Sequence, residues 1–293
     1  MGNVRVVETP LGRFVVREGK PQDLEPLREY EALVLRVLER LAEARRVFVD
    51  VGANVGKYVV PLAKRYEKVY AVEPDPDNLE ALMKNIELNG IGDRVVVVPK
   101  ALGSAPGVAH LAQAGAQSRI ADRGIEVEVT TLDECCPDAE AVKIDVEGFE
   151  LAVIKGALRT IEVNRPAFLI EHHEYIFGIP LRWHPEIARI LMERGYVAIR
   201  VRYPHFLYVP RERFMEHCPA VLEAIGNHVF IEKIMDNLRR GLPWYYGLSG
   251  TWWYGMDVPE YIEYAGRHIS CEEALRLAEA EIDAAARGKV FRF

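Results

Sequence analysis

The strongest constraint on the fold is a strand–turn–helix–strand pattern between residues 47 and 74. An apolar run, Val47–Asp50, leads into a turn that holds Gly52 and Gly56. An amphipathic segment follows, and a second apolar run then ends at the acid Glu73. This order of elements is typical of a βαβ unit, which binds nucleoside-type cofactors beside its glycine turn. An acid that ends the second strand can accept hydrogen bonds from both ribose hydroxyls.

The spacing of the glycines indicates which cofactor such a unit would bind. Dinucleotide enzymes use G-x-G-x-x-G, in which the middle glycine lets the backbone approach a pyrophosphate. This chain instead has D-x-G-x-N-x-G from Asp50 to Gly56. Asp50 would repel a pyrophosphate, whereas it can orient a cationic amino group. The pattern therefore favours S-adenosylmethionine, whose amino group and sulfonium are positive; the alternative is a glycine turn that binds nothing.

Length and composition are those of a globular protein. The 293 residues can bury a sizeable core in one large or two small domains. The net charge of −7 disfavours a broad nucleic-acid surface, although Arg239 and Arg240 offer a local basic patch. No apolar run approaches the ~20 residues that span a bilayer, and the first residues lack the apolar core of a signal peptide. We expect a cytoplasmic protein without membrane contact, and the scarcity of glutamine indicates a thermophilic source.

The four cysteines do not form a C-x-x-C ligand set. They are Cys135, Cys136, Cys218 and Cys271. Their spacing predicts buried free thiols. The alternative is a zinc site in which His217 and Cys218 join the adjacent pair.

Strands and helices alternate along most of the chain. We expect an N-terminal hairpin over residues 4–16 and a packing helix over 26–43. The predicted core strands are 47–50, 68–73, 94–99, 141–146, 167–171, 196–201 and 227–232. Helices are predicted over 57–65, 76–89, 147–157 and 185–194, the second with Asp75 as its N-cap. Residues 103–130 are expected to form an irregular insertion that ends in the strand Ile125–Thr130.

This alternation predicts a mostly parallel sheet with helices on both faces. Ligands of such sheets bind beyond the carboxyl ends of the strands. We expect one rim to hold Asp50, Glu73, Ala101, Asp145 and Glu171. The predicted domains are residues 1–46 packing on the core, the cofactor-binding domain 47–232 and a C-terminal extension 233–293. The extension, with Trp252 and Trp253, is expected to be a packing cap or a substrate wall.

A second motif, Val142–Leu151, is dense in charged residues. The two-residue period of a strand places Lys143 and Asp145 on the same side, with Asp145 at the strand end. Glu147 follows at the expected start of a helix, where the helix dipole favours its anionic form. Asp145 is the predicted active-site acid; the alternative for it is a helix cap.

The sequence Glu171-His-His-Glu174 ends the fifth predicted strand. Histidine can take a proton near neutral pH, so a general base is expected here. The predicted catalytic residues are Asp145, Glu171 and His172; a histidine that is only a satisfied polar residue remains the alternative. A divalent metal held by Asp145, Glu171 and a histidine is a less favoured interpretation, because no H-E-x-x-H or C-x-x-C pattern supports it.

These motifs and their neighbours resemble the FkbM family of S-adenosylmethionine-dependent methyltransferases. The resemblance covers about residues 47–175 in the family's order. The matching segments are Val49–Gly56, Tyr70–Pro74, Asn85–Asn89, Ala101–Gly103, Val129–Asp133, Lys143–Gly148 and Glu150. The chain departs from the familiar pattern in the serine-poor segment Ala116–Arg119 and in the aromatic-rich tail after Glu232.

The resemblance implies a seven-stranded class I methyltransferase fold, which is Rossmann-like, and S-adenosyl-L-methionine as cofactor. It implies contacts to the methionine part from Asp50, Gly52, Asn54 and Gly56, to the ribose from Glu73, and to the adenine edge from Ala101 and Leu102. Ala53, Pro74 and Asp145 are expected to be further cofactor contacts. The activity implied is methyl transfer, most often to a hydroxyl of a small molecule, sugar or glycan.

Two other functions stay open at this point. An RNA or other N-methyltransferase would be expected to show an N/D-P-P-Y motif after the fourth strand, where this chain has D-V-E-G. A non-catalytic module that only binds the cofactor would not need Asp145 or Glu171. Nucleic acid is therefore a disfavoured partner, and the sequence does not indicate an oligomeric state.

Overall fold

In the computed structural model, the described residues are 4–20, 23, 32–115, 118–173, 185–202, 205–221, 271, 272 and 274–276. The predicted hairpin forms from β1 (Val4–Thr9) and β2 (Gly12–Arg17). Helix α1 (Ala32–Leu41) follows, and the predicted start of this helix lies outside the described residues. Its apolar face packs into the core through Val34, Val37, Leu38 and Leu41. The helix is thus a packing helix, as expected.

A seven-stranded sheet forms the centre of the molecule. Its strands are β3 (Val47–Val51), β4 (Lys68–Val72), β5 (Val95–Val98), β10 (Ala141–Ile144), β11 (Ala167–Glu171), β12 (Tyr196–Arg202) and β13 (His205–Pro210), in the spatial order β12-β13-β11-β10-β3-β4-β5. The five strands from β11 to β5 run parallel, and β13 is antiparallel to both of its neighbours. This is the expected mostly parallel sheet.

Residues 101–130 form a second sheet, and this corrects the expectation of an irregular insertion. It has four strands, β6 (Ala101–Leu102), β7 (Gly107–Ala112), β8 (Arg119–Ala121) and β9 (Ile125–Thr130), in the order β6-β9-β7-β8. Only β9 was expected. Leu111 and Val127 bury the inner face of this sheet, so alternating apolar side chains supply the stabilisation that the prediction overlooked.

Short helices cover the central sheet. They are α2 (Val59–Leu62), α3 (Pro76–Asn89), α4 (Leu132–Cys135), α5 (Glu150–Lys155), α6 (Leu158–Val163), α7 (Pro185–Met192) and a 3-10 helix (Arg211–His217). Two apolar clusters lie on opposite faces of the sheet. Phe48 and Leu169 belong to one, whereas Val49 and Phe168 belong to the other. Successive residues of each strand therefore alternate between the faces.

The asparagine Asn85 of α3 joins the N-terminal hairpin to the glycine turn. Its side chain accepts a hydrogen bond from the Val15 N–H and donates one to the Val55 carbonyl, both at 2.8 Å. Because Asn85 is fully buried, these bonds replace water that the side chain and both backbone groups would otherwise bind. The hairpin is thereby fixed against the element that shapes the cofactor turn.

Two of the four cysteines depart from the predicted free thiols. Cys218 and Cys271 form a disulfide with their Cα atoms 5.8 Å apart, while Cys135 and Cys136 remain free. Cys218 is thus not a thiolate ligand, and the zinc site with His217 is not formed. The partners are separated by 53 residues, a pairing that spacing alone cannot reveal.

Two other outcomes concern the ends of the chain. The seventh strand of the central sheet is β13, whereas the predicted strand over residues 227–232 lies outside the described residues, as do Trp252 and Trp253. Within the described ranges, no helix is long and apolar enough to cross a membrane.

Candidate active site at the carboxyl rim of the sheet

The glycine turn crosses closely over the neighbouring strand. Gly52 and Ala53 donate their N–H groups to the Val72 carbonyl, at N···O distances of 3.0 and 2.9 Å. Gly52 has a φ of 84°, and a Cβ there would lie 1.9 Å from the carbonyl oxygen of Asp145. A glycine is therefore required at position 52 even without a ligand. Glycine at this position leaves room for the backbone carbonyl group of Asp145.

Glu73 is held rigidly at the end of β4. Its Oε2 accepts the Asn54 N–H at 2.8 Å, and its Oε1 accepts the Asp75 N–H at 2.9 Å. Burial raises the pKa of Glu73 to about 7, although these backbone hydrogen bonds lower it. The carboxyl group faces the turn in a fixed orientation and keeps lone pairs for further donors.

Asn54 adopts the left-handed backbone conformation, with a φ of 50°, which asparagine tolerates better than most residues. Its side-chain Oδ1 is buried, and no hydrogen-bond partner for it occurs among the described residues. A buried acceptor of this kind normally has a donor. The turn therefore carries one polar atom that is suited to a donor from a ligand.

Gln113 and Ser118 of the insertion complete this side of the rim, and neither residue was predicted to lie there. Gln113 Nε2 donates to Asp75 Oδ1 at 2.9 Å, and Ser118 Oγ donates to Asp75 Oδ2 at 2.8 Å. Asp75 also caps α3 by accepting the Asp77 N–H. The insertion is thus bonded beside Glu73, and Ser118 is the serine that remains in the shortened segment.

The other predicted cofactor contacts lie at or near this edge. Ala53 is buried and Pro74 is half-buried at the ends of their strands. Ala101 and Leu102 are buried in β6, which follows β5 in the chain. Their contacts to a cofactor remain predictions.

Lys143 forms ion pairs with two carboxylates. It lies on the side of β10 that the two-residue strand period predicts. Its Nζ lies 3.0 Å from Asp145 Oδ2 and 3.5 Å from Asp50 Oδ1. The ammonium also lies 4.7 Å from the centre of the Tyr58 ring, a cation–π distance. Asp50 is fully buried, whereas the Asp145 side chain is 26% exposed. Asp145 is thus the member of this chain of charges that reaches the rim.

The histidine that lies beside the acids is His173, whereas the predicted catalytic set contains His172. His173 Nε2 lies 3.5 Å from Asp145 Oδ1 and 3.5 Å from Glu171 Oε1, and its Nδ1 lies 2.8 Å from Glu150 Oε1. Burial lowers the pKa of His173, but the bond to Glu150 and the surrounding carboxylates raise it to about 9.

His172 points to the other face of the sheet. Its Nε2 lies 3.1 Å from the Tyr208 hydroxyl, and its ring meets the Phe206 ring edge-on at 5.3 Å. Side-chain alternation explains the difference, because Glu171 and His173 share a face while His172 takes the opposite one. The period of two that paired Lys143 with Asp145 would have selected His173.

Glu171 is held from its other side by His205. The distance from His205 Nε2 to Glu171 Oε2 is 3.0 Å. Burial raises the pKa of Glu171, yet the two nearby histidines hold it below its ordinary value. This carboxylate is therefore a fixed, ionised member of the rim.

Glu147 differs from its prediction. Helix α5 begins at Glu150, and Glu147 lies in the preceding turn with a φ of 54°. Burial, with the neighbouring carboxylates, raises its pKa to about 7, so a helix dipole does not favour its anion. Asp145 does not cap this helix either, because the N-cap is Phe149.

A mostly parallel sheet covered by helices, with a glycine turn and acids along its carboxyl rim, is typical of the class of α/β proteins that bind nucleoside-type ligands. Comparison with known protein families identifies the family to which the chain belongs. The profile of the Methyltransferase FkbM domain matches residues 50–198, about half of the chain. The chain belongs to this family, which confirms the resemblance seen in the motifs.

Individual relatives are distant. The hexuronic acid methyltransferase AglP of Haloferax volcanii is 28% identical over 139 residues, which are 44% of this chain and 57% of that protein. A probable cobalt-precorrin-6B C(15)-methyltransferase of Methanothermobacter thermautotrophicus is 33% identical over 66 residues, 21% of this chain and 34% of that protein. The chain thus spans less than two thirds of either relative.

A solved structure gives the same family name. The methyltransferase FkbM of Methylobacillus flagellatus is 24% identical, with a TM-score of 0.43 over 57% of this chain and 44% of that one.

Proposed function

We propose that this protein transfers a methyl group from S-adenosyl-L-methionine to a hydroxyl of a sugar or glycan. The observation that carries the proposal is the rim on which Glu73, Asp145, Glu171 and His173 lie together beside the glycine turn. Membership of the FkbM family supports methyl transfer, and the hexuronic acid in the name of one relative supports a sugar acceptor. Localisation in the cytoplasm, the thermophilic source and the class I assignment of the sheet belong to the same proposal.

The residues at the turn fit this cofactor. Glu73 offers carboxylate oxygens to two ribose hydroxyls, and Asn54 Oδ1 is a buried acceptor suited to an amino group. Asp50 stays beneath the rim, so we assign it to positioning Lys143. The turn lacks the middle glycine that a pyrophosphate needs. We place the adenine near Ala101 and Leu102.

Asp145 is the proposed base because it is the acid of β10 that reaches solvent at the rim. Its carboxylate accepts the proton of the acceptor hydroxyl, and Lys143 holds that carboxylate in place. The cofactor supplies a methyl carbon on a sulfonium, and the C–S bonding pair stays on sulfur as the new C–O bond forms. Glu171 and His173 line the acceptor side.

The domain boundaries stay part of the proposal. We assign residues 47–232 to the methyltransferase domain, residues 1–46 to a packing element and residues 233–293 to a cap or substrate wall. An RNA methyltransferase is the second candidate, which the net charge of −7 disfavours.

A labelling experiment tests the proposed reaction. The full chain is incubated with methyl-labelled cofactor and separate acceptors: hexuronic acids, glycans that contain them, neutral sugars and total RNA. We expect label in a sugar fraction, on an oxygen identified by mass spectrometry. Label in RNA would favour the second candidate, and tight cofactor binding without labelling of any fraction would favour a non-catalytic module.

Glu73 provides a test of cofactor placement. We expect Glu73→Gln to lower cofactor affinity by about 1.5–3 kcal/mol, because the charge-assisted bonds to the ribose are lost. The glutamine amide keeps one oxygen for the two backbone N–H groups that Glu73 accepts, and Glu73→Ala would remove both acceptors. Calorimetry gives the affinity, and Glu80→Gln, an exposed acid on α3 that pairs with Lys84, is the control.

The same carboxyl predicts a pH dependence of binding. The pKa of Glu73 is raised to about 7 in the cofactor-free protein, so a proton must leave before the anion can bind ribose. Affinity should be about tenfold weaker at pH 6 than at pH 8. Protonation of Glu73 also stabilises the fold: this contribution to the free energy of unfolding is fully present below the ordinary pKa of a glutamate and is lost as the pH rises to about 7. A Glu73→Gln variant with the same pH dependence would remove Glu73 from the site.

A further inference from the structure

We propose that Asp145, Glu171 and His173 form a binding site for a divalent metal ion of the Mn²⁺ or Zn²⁺ kind. Each side chain offers one ligand atom, and these three atoms lie within 4.8 Å of one another. His173 and Glu171 are buried, and Asp145 opens the group towards solvent. Two of the three candidate ligands are therefore buried and the third is partly exposed.

The distances around His173 Nε2 match a coordination shell better than a hydrogen-bonded cluster. Its separations of 3.5 Å from Asp145 Oδ1 and from Glu171 Oε1 exceed the usual 2.7–3.2 Å of an N–H···O bond. Ligands about 2.0–2.2 Å from one ion lie roughly 3–3.5 Å apart, depending on the angle between them. The two His173 separations fall in this range, and the three ligand atoms together lie within 4.8 Å of one another.

Asp145 and His173 are each oriented by a hydrogen bond on the far atom, and Glu171 has a close histidine neighbour on its far oxygen. Asp145 Oδ2 lies 3.0 Å from Lys143, Glu171 Oε2 lies 3.0 Å from His205, and His173 Nδ1 lies 2.8 Å from Glu150. Supporting contacts of this kind, above all a carboxylate on the free nitrogen of a histidine, are typical of protein metal sites. The near atom of each ligand is thereby directed to a common point.

The ligand chemistry selects the ion. Two carboxylates and one imidazole suit Mn²⁺ or Zn²⁺, whereas Mg²⁺ prefers oxygen ligands in a strict octahedron. Glu147 Oε2, 3.7 Å from His173 Nε2, places a further carboxyl oxygen near the same point. A role in catalysis rests on the function proposed above: the acceptor hydroxyl would bind the ion, which would lower the pKa of that hydroxyl and ease the loss of its proton. Binding of the ion does not depend on that function.

Titration of the chelator-treated full chain with Mn²⁺ tests the site without cofactor or acceptor. Mn²⁺ is the better probe because the free thiols of Cys135 and Cys136 favour softer ions. We expect one Mn²⁺ per chain by calorimetry and electron paramagnetic resonance, weaker binding of Mg²⁺, and a higher melting temperature with Mn²⁺. Asp145→Asn and Glu171→Gln should each weaken Mn²⁺ binding at least about 100-fold.

The control is Asp138→Asn, which alters a carboxylate held by a lysine in the same way, with Lys68 Nζ at 2.9 Å. It should bind Mn²⁺ as the parent does. A parent chain that binds no Mn²⁺, or a folded Asp145→Asn variant that binds it equally well, would overturn the metal site. Because cofactor binding and labelling are measured separately, failure of the methyltransferase function would be recognised independently.

Discussion

Gly52→Ala should destabilise the protein more than any other single-methyl change at the rim. The added Cβ would lie 1.9 Å from the Asp145 carbonyl oxygen, and a backbone atom cannot rotate away as a side chain can. The positive φ adds a further cost of about 1–2 kcal/mol. We expect a loss on the order of 4–5 kcal/mol in the free energy of unfolding, or failure to fold, measured by chemical denaturation.

Gly90→Ala is the matched control for this prediction. Gly90 also has a positive φ, 62°, but a Cβ there would have no neighbour within 4 Å. Its cost should be the conformational term alone, about 1–2 kcal/mol. Equal losses at the two positions would mean that contact with Asp145 does not determine the need for glycine at position 52. The comparison also shows why Gly52 is a poor probe of cofactor contact.

Local signals predicted the elements that frame the cofactor turn. Asp75 accepts the Asp77 N–H at the start of α3, Pro76 occupies the first helical position, and Gly90 ends the helix in the left-handed conformation. These features depend on neighbours within a few residues, so the sequence carries them directly. The parallel sheet and its acidic rim follow from the same local alternation of strands and helices.

Contacts between distant segments could not be predicted in the same way. The Cys218–Cys271 disulfide and the bonds from Gln113 and Ser118 to Asp75 depend on how loops meet in space. Strand β13 was not predicted; it pairs antiparallel with β11 and β12, and these contacts depend on how the strands meet in space.

The site itself was predicted in part. Lys143 and Asp145 were placed correctly because their spacing matches the strand period, whereas His172 was chosen without applying that period past Glu171. Both His172 and His173 are candidates from the sequence, and the structure shows that His173 lies beside the acids. Its four carboxyl neighbours are Asp145 and Glu171 at strand ends, Glu147 in a turn and Glu150 at the start of α5. Only the two at strand ends follow from the strand pattern of the sequence.

Asp145→Asn should lower methyl transfer by about 10²–10⁴-fold, the usual contribution of a positioned base. Asparagine keeps the shape of the side chain and an oxygen for Lys143, but it cannot take the acceptor's proton. The effect should appear in kcat, while cofactor affinity changes far less, because the reaction is affected more than the binding turn. The loss is expected whether Asp145 acts on the acceptor directly or through a bound ion.

Asp138→Asn separates this effect from a general loss of acidic charge. It removes a carboxylate paired with a lysine away from the proposed site, and it should leave kcat within about twofold of the parent, as surface substitutions usually do. An Asp145→Asn enzyme that is as active as this control would make Asp145 structural, and His173 would become the leading base. If the parent loses activity when a chelator removes divalent ions and regains it with Mn²⁺, the carboxylate acts through the ion. Activity that a chelator leaves unchanged means that Asp145 acts on the acceptor directly.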